Sequence, residues 1–568
     1  MTNPKIVEEI IPDPTPSQPE IPPAKSSSAG RTLLKAATFM AVLLLASKLL
    51  GFGRDWLLVK VYGLSLASDA YFAAFQLPQF SLILLGGMGG PFHTATVSIF
   101  SKLLDRHHPD DVGTPSLKAK QLSGVLCTLM ALVFGGLSLL AYWFAQPIMT
   151  LILGSKASSL LITSATAQLQ VMAPIISIGA LVGFLYGALN LLQVYIWPAL
   201  SPAIMSLVMI IALLVFPADS GGMLLAYSSL LGAFLQLALQ LPEYLKKGFS
   251  FKPSLTGVKD PKIREWFELL WPAMLGTTIG QGLIYVDMAF LQFLPEGGWS
   301  AVVLTNRLIQ LPIGVLQTAL LVPLFPRMVK LVDEKRLDEL DDAVVTSIGG
   351  LWFVTLPLMV LFIFFSGALV SGVFQHGAFD ASDVSMVTLA LLYQSFQMIP
   401  YFARDTLTRV FYAFGDTRTP LIVGILAIGF KALFNWLFIV QWMNLGVGGL
   451  TLSITLITTV NWFLLSILLK RGAYPSLPTG RLLSVLGKLL VAVVPMAGVG
   501  YAVHQPWAMP LVSWLPKTSL IAPWGVPVLQ VMFSLAVGVP AYWVVSHALK
   551  VPGIEGVQQR VLAKLLRR

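Results

Sequence analysis

One cysteine, Cys127, stands among 568 residues, so an intramolecular disulfide and any Cys-based metal cluster are excluded. Histidine is scarce as well. The six (His93, His107, His108, His376, His504 and His547) are scattered without HExxH spacing, which argues against a metalloenzyme. No GxxxxGK[ST] loop occurs, so nucleotide hydrolysis is not the evident driving force. An enzyme acting on lipid phosphates needs carboxylates or histidines clustered at a cytoplasmic rim, and the sequence offers no such cluster. Charge itself is short: 11% of residues are charged, against about 25% in a soluble protein.

What fills the chain is apolar. Hydrophobic residues make up 56% and the mean hydropathy is +0.78, the composition of an all-α polytopic membrane protein. Windows of roughly 20 apolar residues give about fourteen spans, near 35–60, 69–102, 119–145, 160–190, 195–216, 222–246, 264–294, 299–328, 343–371, 385–414, 418–441, 447–469, 482–503 and 524–549. Residues 1–32, rich in Pro and Ser, lack the apolar core of a signal peptide and read as a disordered tail that is retained. Lysine and arginine collect in the loops after even-numbered spans, among them Lys102, Lys118, Lys246, Lys262, Arg327 and Lys335. By the positive-inside rule both termini and these loops are cytoplasmic, so the net charge of +10 is a topology signal and not a nucleic-acid footprint.

The chain also repeats itself. Gln76-Leu77-Pro78 in the second span is echoed by Gln310-Leu311-Pro312 in the eighth, and Pro174 and Tyr186 in the fourth by Pro400 and Tyr412 in the tenth. Each pair lies six spans apart, and an even shift preserves orientation across the membrane. The expectation is two parallel six-helix lobes, 33–247 and 248–471, around a central cavity, with 472–568 an appended helix pair and basic cytoplasmic tail. Chance similarity between apolar helices is the alternative.

Several ionisable residues lie deep in these spans. In "ASKLLGFGRDW", Lys48 falls about 20 Å into a helix that starts near residue 35. Lys48 and Asp55 are seven apart and nearly share a face, whereas Arg54 points elsewhere unless Gly51 and Gly53 let the helix bend. Asp69 opens the second span, Asp287 lies in the seventh, and Asn306-Arg307 in the eighth. A lone cation near a helix end snorkels to the headgroups; three, Lys48, Arg54 and Arg307, on repeat-equivalent helix pairs favour a shared hydrated cavity. A cationic cavity suits an anionic cargo, and Arg suits phosphate through its planar fork.

The stretches "SKLLGFGRD", "ASDAYFAAFQLP", "NRLIQLPIGVLQTALLVPLFP", "FQHGAFDASD" and "RVFYAFGDTRTP" together resemble the MurJ (MviN) family of lipid II flippases, within the multidrug/oligosaccharidyl-lipid/polysaccharide exporter superfamily. The resemblance runs from about residue 35 to the last span. It implies a fourteen-helix, V-shaped transporter in the bacterial inner membrane that moves an undecaprenyl-pyrophosphate-linked peptidoglycan precursor to the outer leaflet by alternating access, among membrane lipids and cell-wall synthesis proteins. Carried onto this chain, the substrate-binding positions are Ser47, Lys48, Arg54, Asp69, Asn306 and Arg307, the cations gripping pyrophosphate and the acidic group balancing the cavity's charge.

Three features depart from the family pattern. Lys48 stands where Arg is common, Asn306 replaces Asp, and "SLILLGGMGGPFH" takes the place of paired arginines and an "EGA" motif. The glycines Gly86, Gly87, Gly89 and Gly90 before Pro91 form either a hinge or a close-packing surface. No cofactor is expected, but some relatives couple transport to sodium or to membrane potential, and Asp287 with Asn435 would supply part of a cation site. The alternatives are a flippase for another polyprenyl-linked glycan, a multidrug antiporter of the same superfamily, and, from another class, a membrane scaffold for cell-wall enzymes.

Overall fold

The computed structural model describes residues 46–85, 90–105, 113–503 and 530–551. It is helical throughout except for a two-residue β pairing of Leu104–Asp105 with Thr114–Pro115. Helix α1 covers 46–62. The first lobe continues with α2 (Leu66–Gln79), α3 (Pro91–Phe100), α4 (Leu117–Trp143), α5 (Ala145–Leu153), α6 (Ser159–Met172), α7 (Ile175–Leu191), α8 (Ile196–Val215) and α9 (Met223–Lys246). The second comprises α10 (Pro261–Ala289), α11 (Gly298–Leu316), α12 (Val322–Asp333), α13 (Leu337–Phe374), α14 (Ala381–Ser395), α15 (Met398–Ala413), α16 (Arg418–Asn435) and α17 (Val447–Arg471).

Among the described residues, nine helices are long and apolar enough to cross a membrane, and two bent pairs, α6 with α7 and the two halves of α10, bring the number to eleven. Helix α1 and the broken pairs α2–α3 and α14–α15 coincide with the remaining expected spans. The breaks explain why length alone misses them: each half is too short to cross by itself.

The lobes share their irregularities, which makes the internal repeat structural. Pro78 in α2 is followed by a π-helical stretch at Phe80–Leu85, and Pro312 in α11 by another at Gln317–Leu321. A proline lacks the ladder N–H and its ring crowds the preceding turn, so the ladder is broken at the same place in each lobe. Likewise, span four is broken ahead of α7 at Pro174, with a bend of 43°, and span ten is broken just before Pro400.

Helix α10 departs from a simple two-lobe partition. It bends by 46° between Pro261–Leu275 and Gly280–Phe293, beyond Pro272. Ile263, Trp266 and Leu270 of its first half are buried in the first lobe's aromatic core with Phe92, Phe100 and Phe184, and Trp266 Nε1 donates to Thr96 Oγ1 at 3.2 Å. The appended α18 (Thr479–Val503) and the closing helix Gln530–Ala548 lean on α13, where Tyr542 stacks on Phe353 and donates to its carbonyl at 3.0 Å. Of the glycines read as either a hinge or a packing surface, Gly86, Gly87 and Gly89 lie outside the described residues, as do the terminal tail and the end of the chain.

The lobes are stitched together where α1 turns into α2. Leu64 N–H donates to Asp383 (3.1 Å), Leu66 N–H to Glu296 (2.9 Å) and Ala378 N–H to the Lys60 carbonyl (2.8 Å). The approach is close enough to require glycine: Gly297 has φ +80°, and a Cβ there would meet the Leu64 carbonyl oxygen at 2.5 Å. At the opposite end lie the loops rich in lysine, where Lys102 pairs with Glu265 at 2.9 Å and Lys118 with Asp260 at 3.0 Å.

Candidate functional site: a cationic cavity between the lobes

Two adjoining cavities of about 450 and 460 Å³ lie between the lobes and share Arg54, Phe75, Gln79, Arg307 and Gln310 in their walls. Ser47, Lys48, Arg54 and Arg307 all line the first, so the structure brings these sequence-derived positions together from α1 and α11. Arg54 does not point away from Lys48 and Asp55. Along an unbroken α1 its side chain reaches the neighbouring carboxylate, with Nε and Nη2 at 2.9 and 2.6 Å from Asp55 Oδ1.

Asp55 organises the site, although its sequence position had not placed it in the binding set. Its carboxylate is only 2% exposed and is shared between the lobes: Oδ1 takes Arg54, and Oδ2 lies 3.0 Å from Arg307 Nε. The Arg307 Nε–H is close but not aligned to donate, and the side chain is 42% exposed. Lys48 reaches across to α11, its ammonium 3.2 Å from where a Cβ on Gly314 would lie. The first cavity thus holds three cations against one carboxylate, an excess of two positive charges. A neighbour such as Asp55 keeps the guanidiniums in place while leaving donors free for a second anion.

Asp69 is located elsewhere. It lines neither interlobe cavity and accepts from Gly297 N–H (2.8 Å), Ser300 N–H (2.7 Å) and Ser300 Oγ–H (2.6 Å) at the start of α11. A carboxylate there satisfies the unpaired N–H groups of a helix end and complements its dipole. The charge balance assigned to Asp69 from sequence is supplied by Asp55. Asn306 lines the second cavity and accepts from Gln394 Nε2, an amide pairing between α11 and α14.

The second cavity adds cations that sequence reasoning missed. Arg404, on α15, joins its wall with the guanidinium 4.7 Å from the Tyr401 ring centre, and no ion pair engages it among the described residues. Lys431, on α16, lines the same cavity. Asp287 and Asn435 do meet, Asn435 Nδ2 donating to Asp287 Oδ1 at 2.8 Å, but Lys431 Nζ stands 2.9 Å from that same oxygen. The available signal was a lysine four residues before Asn435, one turn away on the same helix face.

The model of the family described as "Lipid II flippase MurJ" matches residues 58–520. The chain belongs to this family. Among curated relatives, a probable lipid II flippase MurJ of Synechocystis is 28% identical over 457 residues, 77% of this chain and 83% of that protein. The lipid II flippase MurJ of Burkholderia cenocepacia is 25% identical over 504 residues, covering 86% and 94%. Among solved structures, a lipid II flippase MurJ in an inward closed conformation superposes with a TM-score of 0.72 at 20% identity over 93% of this chain and all of that one. An inward-facing multidrug resistance transporter of the MATE family, of the MOP superfamily, gives 0.57 at 14% identity, covering 77% and 99%. These likenesses to solved structures show that the chain shares the fold of those two proteins.

Proposed function

We propose that the chain is a lipid II flippase, moving the lipid-linked peptidoglycan precursor from the inner to the outer leaflet of the bacterial inner membrane by alternating access, for cell-wall synthesis. The observation that carries this reading is the excess of two positive charges in a cavity formed jointly by α1 and α11. A pyrophosphate esterified at both ends bears two negative charges and so matches that excess. Arg54 and Arg307 offer paired N–H groups to its oxygens while Lys48 adds a point charge; Ser47 and Asn306 lie on the cavity walls as neutral polar contacts. Asp55 serves as the resting counter-anion that positions both guanidiniums before cargo arrives.

Orientation follows from charge. The lysine-rich loops, the end opposite the interlobe stitching and both termini are cytoplasmic, so the stitched end is the outer gate and the cavity is presented to the inner leaflet. Outward movement of a dianionic headgroup is favoured by an inside-negative membrane potential, by about 2.3 kcal/mol per charge per 100 mV, which makes the potential a sufficient drive. A multidrug antiporter for cations would want acidic and aromatic groups where this cavity has an excess of basic ones.

The test is complementation of a flippase-depleted bacterium, with lipid II accessibility measured at the outer face and the chain's membrane level checked by immunoblot. Restored growth and surface lipid II support the reading. Growth without surface lipid II, or no rescue at matched expression, refutes it. Labelling of cysteines placed at 247–263 from outside intact cells would overturn the orientation.

A further inference from the structure

A free sodium ion does not fit the second lobe as it stands. Hard cations are held by several oxygens, each directing a lone pair at the ion. Here Asp287 Oδ1 already receives two N–H donors, the Lys431 ammonium at 2.9 Å and the Asn435 amide at 2.8 Å. Lys431 is 1% exposed and Asn435 fully buried, so the ammonium and the amide already occupy the space around that oxygen. Among the described residues no group of three or more acidic, Cys or His side chains converges on a metal-sized site.

We propose that the Lys431 ammonium is the resident cation of the second lobe, covalently tethered through its own helix, and that it neutralises Asp287 in place of a free metal ion. The pair joins the second half of α10 to α16 at the wall of the second cavity. A cation that arrives on the chain itself is always present, so the second lobe has no sodium-loaded and sodium-free forms. The protein therefore completes its cycle without sodium at this position. The Asn435 Oδ1 atom is buried with no hydrogen-bond partner, an acceptor left over on a residue that touches Asp287. With the ammonium gone, that oxygen and the Asp287 carboxylate form the beginnings of an oxygen-lined cation site.

The binding claim is independent of the cargo; only the statement about the cycle rests on the flippase reading. The test uses the full-length protein purified in detergent, with thermal unfolding in sodium chloride and in choline chloride at equal ionic strength, alongside binding of radioactive sodium. The wild type should unfold at the same temperature in both salts and retain no sodium above background. Lys431→Ser should unfold several degrees lower in choline, because Asp287 is left uncompensated, and the loss should be relieved by sodium or by adding Asp287→Asn. Should Lys431→Ser fail to accumulate, Lys431→Arg, which keeps the charge, should accumulate at least tenfold better. Sodium-specific stabilisation of the wild type that Asp287→Asn abolishes would overturn the proposal. So would a Lys431→Ser protein as stable in choline as the wild type.

Discussion

The two lobes each hold a carboxylate paired with cations at the interlobe cavity, yet the two groups are built to opposite ends. In the first, Asp55 is shared by Arg54 and Arg307, and the outnumbered carboxylate leaves a guanidinium 42% exposed. In the second, Asp287 meets one lysine and one amide, with lysine and aspartate 1% and 9% exposed at their side chains, so charge is closed upon itself. An incompletely neutralised cluster facing a cavity has charge left over for an anion, whereas a neutralised and buried one holds two helices together. Burial makes the difference energetic: a paired buried charge is tolerated, but removing one partner strands the other in a medium that cannot solvate it.

The largest effect is expected from breaking the open cluster. Arg54→Ala or Arg307→Ala should each remove a charge-assisted contact worth roughly 2–5 kcal/mol to the anionic cargo and abolish complementation while leaving membrane levels unchanged. Growth and normal surface lipid II with both variants would make these charges structural. Breaking the closed cluster should do the reverse. Asp287→Ala, which leaves Lys431 buried without its partner, should cost about 3–5 kcal/mol and lower the amount of folded protein in the membrane, an outcome read by immunoblot and thermal unfolding.

The comparison is sharpened by conservative changes. Lys48→Arg should be tolerated because charge is kept, whereas Arg54→Lys should impair flipping because the planar fork, which holds Asp55 and on the proposed reading also phosphate, is lost. Equal growth of the two strains in a complementation titration would remove the case for bidentate recognition. A smaller loss is expected at the outer stitching. Asp69→Asn retains one acceptor and should cost about 1–2 kcal/mol of stability through a weakened cap on α11, without changing the affinity of the purified protein for lipid II. The smallest effect belongs to the exposed pair at the lysine-rich end: Lys118→Ala should shift stability by less than about 1 kcal/mol, measured in the same unfolding assay.

Much of this molecule could be read along the chain. Apolar windows locate the spans because a bilayer-crossing helix must be long and apolar, and Pro78 and Pro312 mark the repeat because each disrupts the ladder at the same place in its lobe. Lys48, Arg54 and Arg307 were legible because a charge at depth needs a partner or water. Which partner each one finds was not. Asp55 next to Arg54 looks like a local pair, and its second guanidinium comes from α11, some 250 residues away in sequence. Asp69 looked like a cavity acid because its role as a cap depends on the first turn of α11 packing against it.

The sequence by itself determined that the chain crosses a membrane many times, that its two halves are related, and that cations lie deep within it. Hydropathy, proline and charge act locally, so they can be read from neighbours along the chain. Only the tertiary structure decided that Asp55 joins the lobes, that Asp69 caps a helix, that Arg404 faces the cavity and that Lys431 pairs with Asp287. Those outcomes depend on which helix faces meet. Hydrogen bonds act only at contact, and a buried charge is tolerated only where a partner is packed against it, so its function is set by the groups around it.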